Sequence, residues 1–229
     1  RLQWQGLWWI LAAASLAWAM VFLISFCSVS LPVNGSNRSW KDIQQICKGN
    51  PLLVSCVFVC YSAMFAAVTA FLPTYWIEQH HLDLSSAASM ASIAVTGNIV
   101  GNIVAGILIQ RGSTLRRMLM IAMLAGGFCA ALIFSGWLTL SLEFVAAIGF
   151  TLFSGMLPGA VFASLGDVVP EPGNIPLFVG MIFQGAGIGQ VLGPLVLSAA
   201  VNFSGEWIYA SAMIVLIATT SLLLGQKYR

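Results

Sequence analysis

Long apolar runs separated by short polar clusters dominate this chain. A bilayer core about 30 Å thick takes roughly 20 apolar residues of α-helix to cross. Seven segments reach that length, approximately residues 7–31, 51–77, 84–109, 118–138, 142–165, 175–203 and 207–224. Runs this long predict helices, because barrel strands would be about ten residues long and would alternate apolar with polar. Two starts carry local signals. Asn50-Pro51 reads as an N-cap followed by proline at the first helical position, and Asn174 with Pro176 opens the sixth run in a similar way. The predicted fold class is therefore all-α, a polytopic transmembrane helix bundle with seven spans. It divides into a lone first helix (1–31), a polar linker (32–50) and a six-helix bundle (51–229).

Composition supports lipid as the solvent. Hydrophobic residues make up 59% of the chain and charged residues only 7%, against roughly a quarter charged in an ordinary soluble domain. A chain this apolar could not cover its own surface in water. The net charge of +2 says less than the positions of the charges. Arg38, Lys41 and Lys48 lie between spans one and two; Arg111, Arg116 and Arg117 lie between spans three and four; Lys227 and Arg229 follow span seven. All eight fall on one side. The opposite side holds Glu78, His80, His81, Asp83, Glu143 and Glu206, with Arg1 its one basic residue. Lys and Arg accumulate on the cytoplasmic side, so a multi-pass protein of the cell (inner or plasma) membrane is expected, with its C-terminus inside. Trp4, Trp8, Trp9, Tyr75, Trp76, Trp137 and Trp207 gather towards the outer ends, as an interfacial aromatic belt does. The chain opens at Arg1 without methionine, and its first run lacks the features of a signal peptide; a truncated piece of a longer protein is expected. The five cysteines lie mostly in apolar runs, where thiols act as small hydrophobes.

Polar side chains at membrane depth are costly and face the bundle interior or an aqueous cavity. Asn98 and Asn102 stand four apart on one face of span three. Gln184 and Gln190 flank the middle of span six, Glu143, Thr151, Ser154 and Pro158 form a stripe on span five, and Tyr61, Ser62 and Thr69 form one on span two. Spans four and seven carry no Asn, Gln or charge at mid-depth. Spans two, three, five and six are thus expected to line a cavity, with Asn98, Asn102, Gln184, Gln190, Tyr61 and Thr151 as candidate solute contacts. Each could equally bond a neighbouring helix, a contribution of about 0.6–2 kcal/mol. Glu143 is the one carboxylate near a span interior, which makes it the candidate for proton coupling. It lies about a turn from the outer end, where a solvated carboxylate is ordinary. Gly97, Gly101 and Ala105 on span three, and Gly185, Gly189 and Gly193 on span six, form small-residue stripes that admit close helix approach.

Between spans three and four the chain reads Gly106-Ile-Leu-Ile-Gln-Arg-Gly-Ser-Thr-Leu-Arg-Arg117. This resembles the loop signature Gly-x-Leu-x-Asp-Arg-x-Gly-Arg-Arg of the major facilitator superfamily. Gly106, Leu108, Arg111, Arg116 and Arg117 fit, while Gln110 stands where the family usually has Asp. The resemblance implies the C-terminal half of a twelve-helix transporter, helices six to twelve, whose partner is a missing N-terminal half. It implies that helices seven, eight, ten and eleven line the cavity, and these are the four spans already selected by polarity. It also gives Gly106, Arg111, Arg116 and Arg117 a gating role, beside the topology-setting role that their charge alone would explain. The two small-residue stripes would then face either the N-terminal half or neighbours within the bundle.

The function implied is secondary active transport of a small solute by alternating access, ion- or proton-coupled. The alternative is a seven-helix membrane receptor or signalling protein. No lysine lies within a span to hold a retinal, and neither a Ser-His pair nor paired aspartates can be assembled at depth. No enzyme activity, cofactor, metal or nucleic-acid partner is expected; the partners are the lipid bilayer and a small-molecule substrate. The cavity candidates are neutral amides, hydroxyls and aromatics, which favours a neutral or weakly polar solute.

Overall fold

The computed structural model describes residues 4–26, 40–169 and 171–228. Its helices are α1 (Trp4–Phe26), α2 (Trp40–Ile46), α3 (Gly49–His80), α4 (Leu84–Gln110), α5 (Leu115–Ile133), α6 (Leu140–Ala163), α7 (Leu165–Val168), α8 (Ile175–Ser204) and α9 (Ile208–Gln226). Among the described residues no strand occurs, and seven helices (α1, α3, α4, α5, α6, α8, α9) are long and apolar enough to cross a membrane. Each of the seven apolar runs, over its described residues, holds one of these spanning helices. α5 stops five residues short of the apolar run because Gly136 takes a left-handed backbone, φ 72°, in the turn that follows. The stretch read as a polar linker contains α2, and α3 begins at Gly49. Residues 27–39, with Cys27 and Arg38, and the terminal Arg1 and Arg229 lie outside the described residues.

The chain divides into two compact units, residues 1–39 and 40–229. In the first, α1 is apolar on every side, the pattern of a helix whose solvent is lipid. In the second, α3 touches α4, α6, α8 and α9. Two close crossings set the geometry. At the α4–α6 crossing, a Cβ on Gly101 would run into the Leu152 carbonyl, and one on Gly155 or Gly159 would run into the backbone of Asn98 or Asn102. Glycines on both helices thus bring backbone against backbone. At the α3–α8 crossing Gly189 and Gly193 do the same against Val59 and Ala63. Both small-residue stripes therefore pack within the bundle. α5 lies against α6 and α9, with Ser211 Oγ donating to the Ala131 carbonyl at 2.7 Å.

The ends sort by charge. One carries Lys48, Arg111, Arg116, Arg117 and Lys227 beside Asp42, Asp167 and Glu171; the other carries Glu78, His80, His81, Asp83, Glu143 and Glu206 and, among the described residues, no Lys or Arg. At the acidic end, Tyr75, Phe134 and Trp207 form an aromatic cluster, with Phe134 stacked on Trp207 at 5.6 Å. Trp207 Nε1 donates to Glu78 there at 2.9 Å. Asp83 caps α4 by accepting from the Ser86 N–H at 3.0 Å. That bonding holds its carboxyl below the usual carboxylate range.

Candidate functional site

A cavity of about 680 Å³ lies among α3, α6 and α8. Its walls follow from helical spacing. Phe58, Ser62, Phe65 and Thr69 recur at intervals of three or four along α3, with Tyr61 beside Ser62, as Phe183, Ala186, Gln190 and Pro194 do along α8. α6 contributes Pro158 and Phe162. Helix directions order these residues by depth: Phe58, Phe162 and Phe183 lie nearest the basic end, and Thr69 and Pro194 nearest the acidic end.

Of the residues selected from the sequence, Tyr61 and Gln190 line this cavity. The other four do not. Thr151 is fully buried and its hydroxyl donates to the Ala94 and Ile148 carbonyls, so it belongs to the α4–α6 crossing. The Asn102 amide donates to the side-chain and backbone oxygens of Asn98, at 3.0 and 2.9 Å. The four-residue spacing therefore pairs the two with each other. Asn98 also lies beside the Tyr61 hydroxyl, a layer back from the cavity. Gln184 is exposed on α8 but lies off the cavity wall. No α4 residue reaches the wall, because the narrow buried face of that helix is its small-residue stripe and turns to α6.

Glu143 departs furthest from its expected surroundings. It is only 1% exposed, not solvated. Tyr75 Oη donates to one carboxylate oxygen at 3.0 Å and Trp76 Nε1 donates to the other at 3.1 Å. His80 Nε2 lies 2.8 Å from that second oxygen. A buried carboxylate left unpartnered would cost several kcal/mol, so three polar contacts are what permit its burial. Tyr75 and Trp76 are themselves fully buried, whereas the His80 side chain is 24% exposed. His80 therefore connects the carboxylate to the membrane surface. The sequence placed Tyr75 and Trp76 in the aromatic belt and His80 on the outer side without joining them to Glu143; the signal available was Trp76 and His80, four apart at the acidic end of one helix.

At the basic end, Arg111 caps the C-terminus of α4, Gly112 turns the chain with φ 92°, and Thr114 accepts from the Arg117 N–H at 3.4 Å to cap α5. Arg111, Arg116 and Arg117 are exposed, and Gly106 has open space about its Cα. A second cavity of about 620 Å³ here is lined by Arg116, Ser164, Asp167 and Tyr228 among others. Burial pushes the Tyr228 hydroxyl above its usual range, and the neighbouring Asp167 adds to the shift.

Spanning helices around a solute-sized cavity, one of them carrying a buried carboxylate away from the cavity at its acidic end, define a polytopic membrane protein built to hold something at depth. A model of the Major Facilitator Superfamily matches residues 1–171, and the chain belongs to that superfamily. It is accordingly a multi-pass membrane transport protein. Among curated proteins none matches the chain.

Proposed function

We propose that this chain is the C-terminal half, helices six to twelve, of a proton-coupled secondary transporter that moves a small solute by alternating access. The observation that carries this reading is the cavity of about 680 Å³ walled by three spans of a facilitator chain. Tyr61 and Gln190 contact the solute there, with Asn98 supporting Tyr61, and an N-terminal half supplies the facing wall. Glu143 is the coupling residue. Its burial makes its charge expensive, and His80 gives protons a route to it from the acidic end. The basic end is cytoplasmic by the distribution of Lys and Arg, which puts the C-terminus and the Gly106, Arg111, Arg116 and Arg117 loop inside the plasma or inner membrane. In that loop the arginines gate the inner side.

The test is solute uptake into proteoliposomes holding the full-length transporter, with and without a pH gradient. The expected result is gradient-driven accumulation that loses its pH dependence in Glu143→Gln. An absence of flux for every solute tried, together with a ligand-dependent signal to a cytoplasmic partner, would sink this reading and favour the receptor.

A further inference from the structure

The cavity wall is selective in what it omits. It presents five aromatic rings, Phe58, Tyr61, Phe65, Phe162 and Phe183, and no Asp, Glu, Lys, Arg or His. Phe58, Phe162 and Phe183 come from three different helices yet meet ring to ring, with centroids 6.5 and 6.1 Å apart. They make a continuous aromatic floor on the side nearest the basic end. Tyr61 extends it, 5.2 Å from Phe58 and 5.9 Å from Phe65. Phe65 is in turn braced by Phe150 at 6.1 Å.

The polar groups are all neutral: the Tyr61, Ser62 and Thr69 hydroxyls and the Gln190 amide. The Thr69 hydroxyl is already bonded to the Phe65 carbonyl at 2.7 Å. Gln190, by contrast, has no hydrogen-bond partner among the described residues, and its amide stands towards the acidic end from the aromatic floor. A free amide offers two donors and one acceptor. It satisfies a neutral amide, hydroxyl or carbonyl, but it cannot neutralise a charge. An ionised solute on these walls would lose its hydration without gaining a counter-charge from them, whereas a flat ring system would gain stacked and edge contacts.

We propose that the solute is an uncharged molecule with a planar apolar ring system, held by the Phe58–Phe162–Phe183 floor, and a neutral hydrogen-bonding group directed at Gln190. This rests on the cavity being the transport site, as argued above. The ring portion points to the basic end and the polar group to the acidic end.

Three probes that share one ring system test the proposal: radiolabelled 2-naphthamide, 2-naphthoate and 2-naphthylmethylammonium. Each is equilibrated with the full-length transporter in nanodiscs, and retention by empty nanodiscs is subtracted to remove partition into lipid. The expected result is saturable binding of the amide at least tenfold tighter than of either ion. Phe162→Ala should weaken the amide at least fivefold. Gln190→Glu, which keeps the side chain's shape, should invert the preference towards the ammonium probe. A charged probe binding the native chain as tightly as the amide would overturn the proposal. So would no saturable binding of the amide, or a Gln190→Glu variant that folds and keeps the native order. Equilibrium binding does not require transport, so the two readings fail separately. Selective amide binding without flux of any solute sinks the transporter alone, while flux of a charged solute that 2-naphthamide does not inhibit sinks the substrate class alone.

Discussion

Replacing Glu143 with alanine removes the acceptor of three side chains at once. Tyr75 and Trp76 are fully buried, so the Tyr75 O–H and the Trp76 N–H would lose the acceptor of their donated bonds, whereas the partly exposed His80 can turn to water. A buried donor left unsatisfied costs about 1–3 kcal/mol, and two such donors set a gross loss of about 2–6 kcal/mol. Relief from holding a carboxylate in the interior offsets part of this, leaving a net loss of about 2–4 kcal/mol. For a chain of this size each kcal/mol moves the melting midpoint by about 2–4 °C, so the midpoint of Glu143→Ala should fall by roughly 4–16 °C. Glu143→Gln keeps the shape and one carbonyl acceptor; its fall should be about half as large. The assay is thermal unfolding in nanodiscs followed by tryptophan fluorescence, in which Trp76 reports from inside the cluster. A Glu143→Ala midpoint within about 2 °C of the native one would refute the reasoning, as would a glutamine variant no more stable than the alanine one.

Three further outcomes follow from the packing and the caps. Gly101→Val and Gly155→Val should each cost about 3 kcal/mol, because the added atoms meet a facing backbone that cannot rotate away. Gly106→Val has open space and should be nearly neutral to packing, a contrast readable from the fraction of monodisperse protein on gel filtration. Thr151→Val should lose about 1 kcal/mol of melting stability and leave probe binding unchanged, since its hydroxyl serves α4 and not the cavity. Asp83 has its carboxyl pKa lowered in the fold, so its cap is present at neutral pH and is lost as pH falls through that lowered value. The protection of amides in the first turn of α4, taken relative to the intrinsic exchange rate at each pH, should therefore fall on going from about pH 7 to about pH 3, and Asp83→Ala should abolish that change.

Run length made the spans legible, because a helix that crosses lipid must be apolar over its whole length whatever it packs against. The division of charge between the two ends was legible for a similar reason: it depends on order along the chain alone. Partnerships were not. Gly97, Gly101 and Gly189 announced close approach, but spacing within one helix cannot name the helix that approaches. Asn98 and Asn102 were rightly placed on one face, yet that spacing satisfies an amide locally as well as it presents one to a solute. Glu143 was the sharpest case. Distance from the helix end suggested water, and only the fold brings Tyr75 and Trp76, nearly seventy positions earlier, over the carboxylate. Tyr61 and Gln190 were found because their helices, α3 and α8, pass the cavity along much of their length.

The position of Glu143 along α6 has a mechanical consequence. Phe162, its helix's share of the aromatic floor, lies nineteen residues further on, about 28 Å at 1.5 Å per residue. With α6 tethered to α3 at the Glu143 end, a tilt of about 5° about that tether carries Phe162 sideways by about 2.5 Å over such a lever arm. Phe58 and Phe183 sit at 6.5 and 6.1 Å from it, so a swing of that size is enough to part the floor. Pro158, four residues before Phe162, and the glycine contacts of α6 with α4 are the points through which any such lever from one face of the membrane to the other must act.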